Sequence, residues 1–204
     1  MILHSYGFGH MSITLTLTRG NMMSQTIPLI RHADVADAGL LAELGAHTFS
    51  DTFAADNRPE DMAAYLAASF SAAKQTEELV DPCSLFLIAE IDGEAVGYAQ
   101  LHAGAAPDFV TAAQPVELAR LYVAQQWLGH GVGAALMRAC LDEARQAGHQ
   151  AVWLGVWEHN ARARTFYRNW DFLEVGTHIF QLGSDPQIDI LMTRSIGDGV
   201  QPAR

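Results

Sequence analysis

Positive charge is scarce in this chain. Its 204 residues carry 12 lysines and arginines against 23 aspartates and glutamates, a formal net charge of −11. Nucleic-acid binding rests on Lys and Arg neutralising phosphates, so no nucleic-acid partner is expected. Cysteine is nearly missing as well: Cys83 and Cys140 fall in different elements and have no metal-ligand spacing. Cys140 lies on the apolar stripe of a helix, where burial is its expected role. Both thiols fit a reduced, cytoplasmic compartment. The nine histidines join no H-E-x-x-H or paired-cysteine pattern, so no metal is expected. No apolar run approaches the roughly 20 residues that a membrane-crossing helix needs, and no membrane partner is expected. A basic n-region and a long apolar core, the marks of a secretory leader, are also missing. The acidic balance would steer a cationic small molecule, although plain solubility explains it equally well.

Half the residues are hydrophobic and 17% are charged, which suits a globular chain with one sizeable core. Residues 1–25 read as a loosely ordered N-terminal extension. Its ITLTLT run (13–18) alternates like a strand, and an added edge strand is the alternative reading. Residues 26–196 form the domain, and 197–204 a flexible tail. Within the domain a strand is expected over 27–31, then a helix capped by Asp34. Pro59 opens a second helix, with Met62, Tyr65, Leu66, Ser69 and Phe70 on one face. A short helical piece covers 73–80 and stops before Pro82. Asp92-Gly93 joins strands 85–91 and 95–102 in a hairpin. Two further strands, 175–182 and 188–194, close the chain through Gly183-Ser184-Asp185-Pro186.

Residues 116–160 carry the chemistry. An apolar strand (116–123) leads into GHGVGA (129–134), then a helix with Val132, Leu136, Cys140 and Ala144 on one stripe, then a strand (151–157). A glycine loop opening a helix leaves backbone N–H groups unpaired at the dipole's positive end, a seat for phosphate. A triphosphate P-loop is excluded, because Gly133 precedes Ala134 and Ala135 where Lys and Ser/Thr are required. A dinucleotide fold is a closer rival: Gly129, Gly131 and Ala134 fit its glycine pattern, and Glu158 stands where a ribose-binding acid belongs. Against it, the strand ends well before the first glycine and no further βαβ unit follows. Acyl-coenzyme A is the third reading.

Strand, glycine loop, helix, strand, Asn160 and a short helix ending in FYRNWDF (166–172) together resemble the GNAT superfamily of N-acetyltransferases. ELARLYV (117–123), WLGVWEHN (153–160) and VGTHIFQLGSDPQIDILM (175–192) resemble its bacterial polyamine-acetylating branch, of the protease-synthase and sporulation regulator type. The resemblance spans about residues 26–196. It implies an α/β fold with one mixed, mostly antiparallel sheet of about seven strands and helices on both faces. It also implies transfer of acetyl from acetyl-CoA to a primary amine, a small polyamine such as spermidine, by direct attack in a ternary complex. A non-catalytic sensor of acyl-CoA or polyamine is the rival within the same fold, and a homodimer is left open.

By this resemblance Leu121, Tyr122 and Val123 present backbone groups to the pantetheine arm and the thioester. The pyrophosphate lies on the loop of Leu128, Gly129, His130, Gly131, Val132 and Gly133. Leu128 stands where the family usually has Gln or Arg, so only the backbone cradle is carried over there. Asn160 caps the following helix and reaches the cofactor. Tyr167 matches the family's general acid: a phenol near pKa 10 can protonate a thiolate near 8.5 with a modest uphill step. The base is open. Taking an amine of pKa about 10.4 to its neutral form at pH 7 costs roughly 4–5 kcal/mol, and a carboxylate nearby would offset that cost. Glu117, which opens the thioester strand, is the first choice. Glu158, Asp51 and His47 are the others.

Overall fold

A computed structural model describes residues 27–197. The expected N-terminal extension and most of the tail lie outside the described residues. The hairpin at Asp92-Gly93 forms as its sequence demands: the two residues take φ of 52° and 82°, the paired positive values of a type I′ turn. Around it β2 (Ser84–Ile91) and β3 (Glu94–His102) pair antiparallel. Outside β2 lies β1 (Leu29–His32); beyond β3 follow β4 (Pro115–Val123) and β5 (Ala151–Trp157). A final hairpin of β6 (Leu173–Leu182) and β7 (Asp185–Ser195) completes the sheet, in the order β1-β2-β3-β4-β5-β7-β6. Among the described residues only β4 and β5 run parallel. A sheet with one parallel junction is not the doubly wound sheet that a dinucleotide enzyme requires, and that rival is excluded.

Helices cover both faces, for reasons visible in their sequences. The helix α4 (Val132–Gln146) buries Val132, Leu136, Met137, Cys140, Leu141 and Ala144. It packs them on Leu87, Ala89, Val96, Ala99 and Val116 of the sheet, and α5 (Ala161–Asn169) adds Tyr167 to the same cluster. On the other face α1 (Ala38–Phe53) seats Leu41 over Phe86, Ile88 and Tyr98. Beside it, α2 (Pro59–Ser69) brings Met62 against Phe49, Phe70 and Leu182. A short helix, α3 (Ala72–Val80), is held by its N-cap Ser71, which accepts the Lys74 N–H at 3.2 Å. Asp34 does the same for Ala36 at 2.8 Å, in a 3-10 turn that runs on into α1.

Some strands start elsewhere than the sequence reading has them, β6 at Leu173 and not 175 among them. β1 starts at Leu29, since Ile27 is 86% exposed and has no partner to bury it. β7 starts at Asp185, not 188, so Gly183 and Ser184 alone make the turn. Asp61 of α2 explains the tighter turn: its carboxylate accepts the Ser184 N–H at 2.7 Å, and Gly183 at φ 58° leaves the room. This contact ties α2 to the tip of the β6–β7 hairpin.

Candidate active site

The site begins with a failure of pairing. β4 and β5 are in register only at Pro115–Ala151, Val116–Val152 and Glu117–Trp153. Beyond that point the two strands splay, and one edge of β4 is left without a backbone partner. A bulge lies just past the fork: Leu101 faces Leu118 while Gln100 faces Arg120, so Ala119 is the extra residue. The bulge changes the strand's parity. Val116 and Leu118 point to the α4 side, and after it Leu121 and Val123 take over that side while Tyr122 turns toward α1. The fork opens into a cleft of about 660 Å³. Leu121, Tyr122, Val123, Leu128, Gly129, Gly131, Gly133, Asn160 and Tyr167 all line it.

Beside the open edge of β4 is a cradle of amides. Gly129 and Gly131 take φ of 83° and 86°, which side chains rarely adopt, and nothing stands within 4 Å of where their Cβ atoms would be. This conformation turns the chain so that α4 starts with its N–H groups facing out. The first loop donors that find backbone acceptors are Leu128 (to Gln125, 3.2 Å), His130 (to Trp127, 3.3 Å) and Ala135 (to Gly131, 3.0 Å). The N–H groups of Gly129, Gly131, Val132, Gly133 and Ala134 have no backbone acceptor among the described residues. Five free donors at a helix N-terminus suit a diphosphate. Val132 contributes only its amide, for its side chain is fully buried under the sheet. His130 does not line the cleft; its Nδ1 lies 3.1 Å from the Leu128 carbonyl oxygen and its ring meets Trp127 edge-on.

Asn160 combines two positions: its side chain accepts the Ala163 N–H at 3.0 Å, capping α5, and it borders the cleft. Asp171, just past the end of α5, takes the left-handed conformation at φ 59°, which Asp tolerates better than most residues. In between, Tyr167 is 9% exposed, with its ring packed on Phe166 and Phe172. Its hydroxyl has no protein hydrogen-bond partner among the described residues, and burial raises its pKa above the usual phenol value. It is therefore a neutral donor facing the cleft at ordinary pH. Glu117 is placed differently. It sits at the apex of the fork, does not line the cleft, and is brought near His102 and His178; burial raises its carboxyl pKa. Glu158 and His47 also stand outside the cleft, whereas Asp51 borders it.

Sequence reasoning missed the other half of the cleft. Phe49, Phe53 and Tyr65 from the first two helices face Trp157, Phe180, Gln187 and Asp189 from the far strands. Phe53 meets Trp157 edge-on at 5.7 Å and Tyr65 meets Phe180 at 5.5 Å. Asp189 Oδ2 lies 3.5 Å from His178 Nε2, and burial raises the Asp189 carboxyl pKa. Arg162, exposed at the start of α5, borders the cleft beside Asn160. Apart from Trp157, none of these lies in the 116–160 segment, and strand alternation alone gave no reason to pick out Asp189. Among the described residues no helix is long and apolar enough to cross a membrane, and no cluster of His, Cys, Asp or Glu could hold a metal ion.

Known proteins share this fold. An uncharacterized N-acetyltransferase of Mycobacterium tuberculosis is 38% identical over 162 residues, covering 79% of this chain and 99% of the relative. An uncharacterized N-acetyltransferase from Lactobacillus delbrueckii subsp. lactis is 33% identical over 153 residues, 75% of this chain and 88% of its own. Among solved structures, the PaiA N-acetyltransferase from Thermoplasma acidophilum in complex with coenzyme A has the same fold. The TM-score is 0.65 at 21% identity, covering 82% of this chain and 98% of that one. The model of the acetyltransferase (GNAT) family matches residues 47–172, from the middle of α1 through the end of α5. The chain belongs to the GNAT family of acetyltransferases.

Proposed function

We propose that this acetyl-CoA-dependent N-acetyltransferase acylates a primary amine by direct attack in a ternary complex, and that a small polyamine is its acceptor. One observation carries the reading: a strand edge without a partner, the free amides of Gly129, Gly131, Gly133 and Ala134, and a neutral phenol border the same cleft. The open edge of Leu121, Tyr122 and Val123 suits an extended pantetheine arm, which would take the place of the missing strand. The Gly129–Gly133 amides suit the diphosphate, and Asn160 and Arg162 border that end. A backbone N–H on β4 aimed at the thioester carbonyl would stabilise the oxyanion, a contribution of about 3–4 kcal/mol where single donors have been removed in other enzymes. Tyr167 would hand its proton to the departing sulfur. The acceptor enters from the aromatic side of the cleft. The net charge of −11 and the carboxylates Asp51 and Asp189 at the cleft favour a cationic amine.

The test is thiol release from acetyl-CoA with spermidine, set against amino acids and peptide N-termini. Amine-dependent release, highest with spermidine, is the expected result. Release with peptides alone would remove the polyamine acceptor, and no release with any amine would remove the transferase. A non-catalytic sensor would bind the coenzyme with measurable heat and turn over nothing.

A further inference from the structure

We propose that Asp189, braced by His178, is the carboxylate that receives the acceptor's ammonium group and takes its proton. This rests on the acetyl-transfer reading above and deepens it by naming the base and the charge the acceptor must bring.

The position is specific. Asp189 pairs with Trp157 on one side and His178 on the other, in the strand that crosses the cleft floor. Its side chain is 14% exposed, and what remains exposed borders the cleft. Among the described residues no Lys or Arg lies within ion-pair distance of it; His178 at 3.5 Å is its one partner. The contrast is Glu78, equally shielded at 15%, which has Arg120 against it. A half-buried carboxylate without a guanidinium is costly alone, and an arriving ammonium offsets the cost. Phe53, Tyr65, Trp157 and Phe180 line the same cleft, and aromatic rings attract a cation stripped of part of its water.

Gly155 supplies the second observation. It sits mid-strand in β5, yet it is exposed to the cleft between buried Leu154 and Val156. A Cβ built there would stand 3.2 Å from Asp189 Oδ2 and 3.3 Å from His178 Nε2. Its backbone takes no left-handed φ, so glycine is not needed for a turn. What glycine does is keep open the floor in front of the carboxylate, where an attacking nitrogen must pass toward the β4–β5 fork. The charged or titratable groups that face Asp189 are His178 from β6 and Tyr65 from α2; Glu117, at the fork, shares the field of His178.

The step balances as follows. The ammonium gives one proton to the Asp189 carboxylate, and the freed nitrogen lone pair forms a C–N bond at the thioester carbon. Collapse breaks the C–S bond, and the sulfur leaves with the Tyr167 proton. The nitrogen's second surplus proton returns to the Tyr167 oxygen, and Asp189 releases its proton to water. The net products are amide, thiol and one proton.

Steady-state thiol release with acetyl-CoA and spermidine tests this in the full chain, for wild type, Asp189→Asn, Gly155→Ala and Glu117→Gln, with coenzyme affinity by calorimetry and melting by circular dichroism. Asp189→Asn is expected to lower kcat/KM for spermidine by about 10²–10⁴, the range of a positioned base. Coenzyme affinity should stay within twofold and the acid limb of the pH profile should move. Gly155→Ala, which keeps both side chains but presses its Cβ against Asp189 Oδ2 and His178 Nε2 so that they must give way, is expected to lose at least about tenfold in the same parameter, as a misplaced catalytic group does. Wild-type kcat/KM in Asp189→Asn, or a loss confined to Glu117→Gln, overturns the assignment and leaves acetyl transfer standing. No thiol release by wild type with spermidine or phenethylamine, despite coenzyme binding, overturns both.

Discussion

Replacing Tyr167 by Phe separates chemistry from packing at one atom. The ring lies in the main core, 5.5 Å from Phe166 and 5.8 Å from Phe172 between centroids, and Phe keeps both contacts. Because the hydroxyl has no protein partner among the described residues, its loss strands no buried donor or acceptor. Stability should change by no more than about 0.5 kcal/mol, the scale of substitutions that break no named interaction. That is a melting shift of about 2 °C or less for a chain of this size. The catalytic effect should be far larger. A positioned general acid contributes about 10²–10⁴ in rate, or roughly 3–5 kcal/mol of barrier. Thiol release at saturating acetyl-CoA and amine reads kcat, and calorimetry with coenzyme A reads affinity. The expected result is kcat down by at least about 10² with melting and affinity unchanged. Since burial raises the phenol's pKa, the wild type should show no alkaline loss of this acid below pH about 10. A variant that keeps kcat within about threefold, which is under 1 kcal/mol of barrier, would refute the acid role outright. A fall in melting temperature of ten degrees or more, at about 2–4 °C per kcal/mol, would refute the packing argument instead.

Gly131→Ala puts a side chain at φ 86° with open space around it, so its cost is backbone strain alone, about 1–2 kcal/mol, and a drop of several degrees in melting with weaker coenzyme binding should result. The same substitution at Gly133, whose Cβ would make ordinary contacts of 3.7 Å with Phe166, should melt like wild type. Burial raises the carboxyl pKa of Asp189 from 3.8 and of Glu117 from 4.5, so the folded protein holds protons that the unfolded chain would release. The stability this gives is present below those ordinary values and is lost as pH rises through the raised ones. Asp189→Asn and Glu117→Gln should therefore melt higher than wild type at pH 7, with the advantage gone at acid pH; melts at both pH values check it. Cys83 is exposed while Cys140 is buried, its thiol pushed up to about 12, so one equivalent of a thiol reagent should react before unfolding and two after.

Local features could be read because their causes are local. The Asp92-Gly93 turn, Pro59 at a helix start, and Asp34 and Asn160 as caps each answer to a few neighbouring dihedrals. The stripe of Val132, Leu136, Cys140 and Ala144 answered to helical period and was buried as a unit. Asp61 is the counter-example: it reads as a first-turn acid of α2, yet it also tightens a turn more than a hundred residues away by taking the Ser184 N–H.

The glycine loop shows how far the chain alone can go: Gly129 and Gly131 permit left-handed dihedrals wherever they are placed, and the helix after them must then open with free amides. Whether a strand edge beside those amides stays open is another matter. It depends on β4 and β5 parting after Glu117, and that distance is fixed by helices packed on both faces of the sheet. The same divergence left Glu117 at the apex, outside the cleft, and brought Asp189 to its floor through a strand that arrives about seventy residues later. Backbone conformation is a property of neighbours in sequence. Which carboxylate meets an amine is a property of neighbours in space, and only the folded sheet decides it.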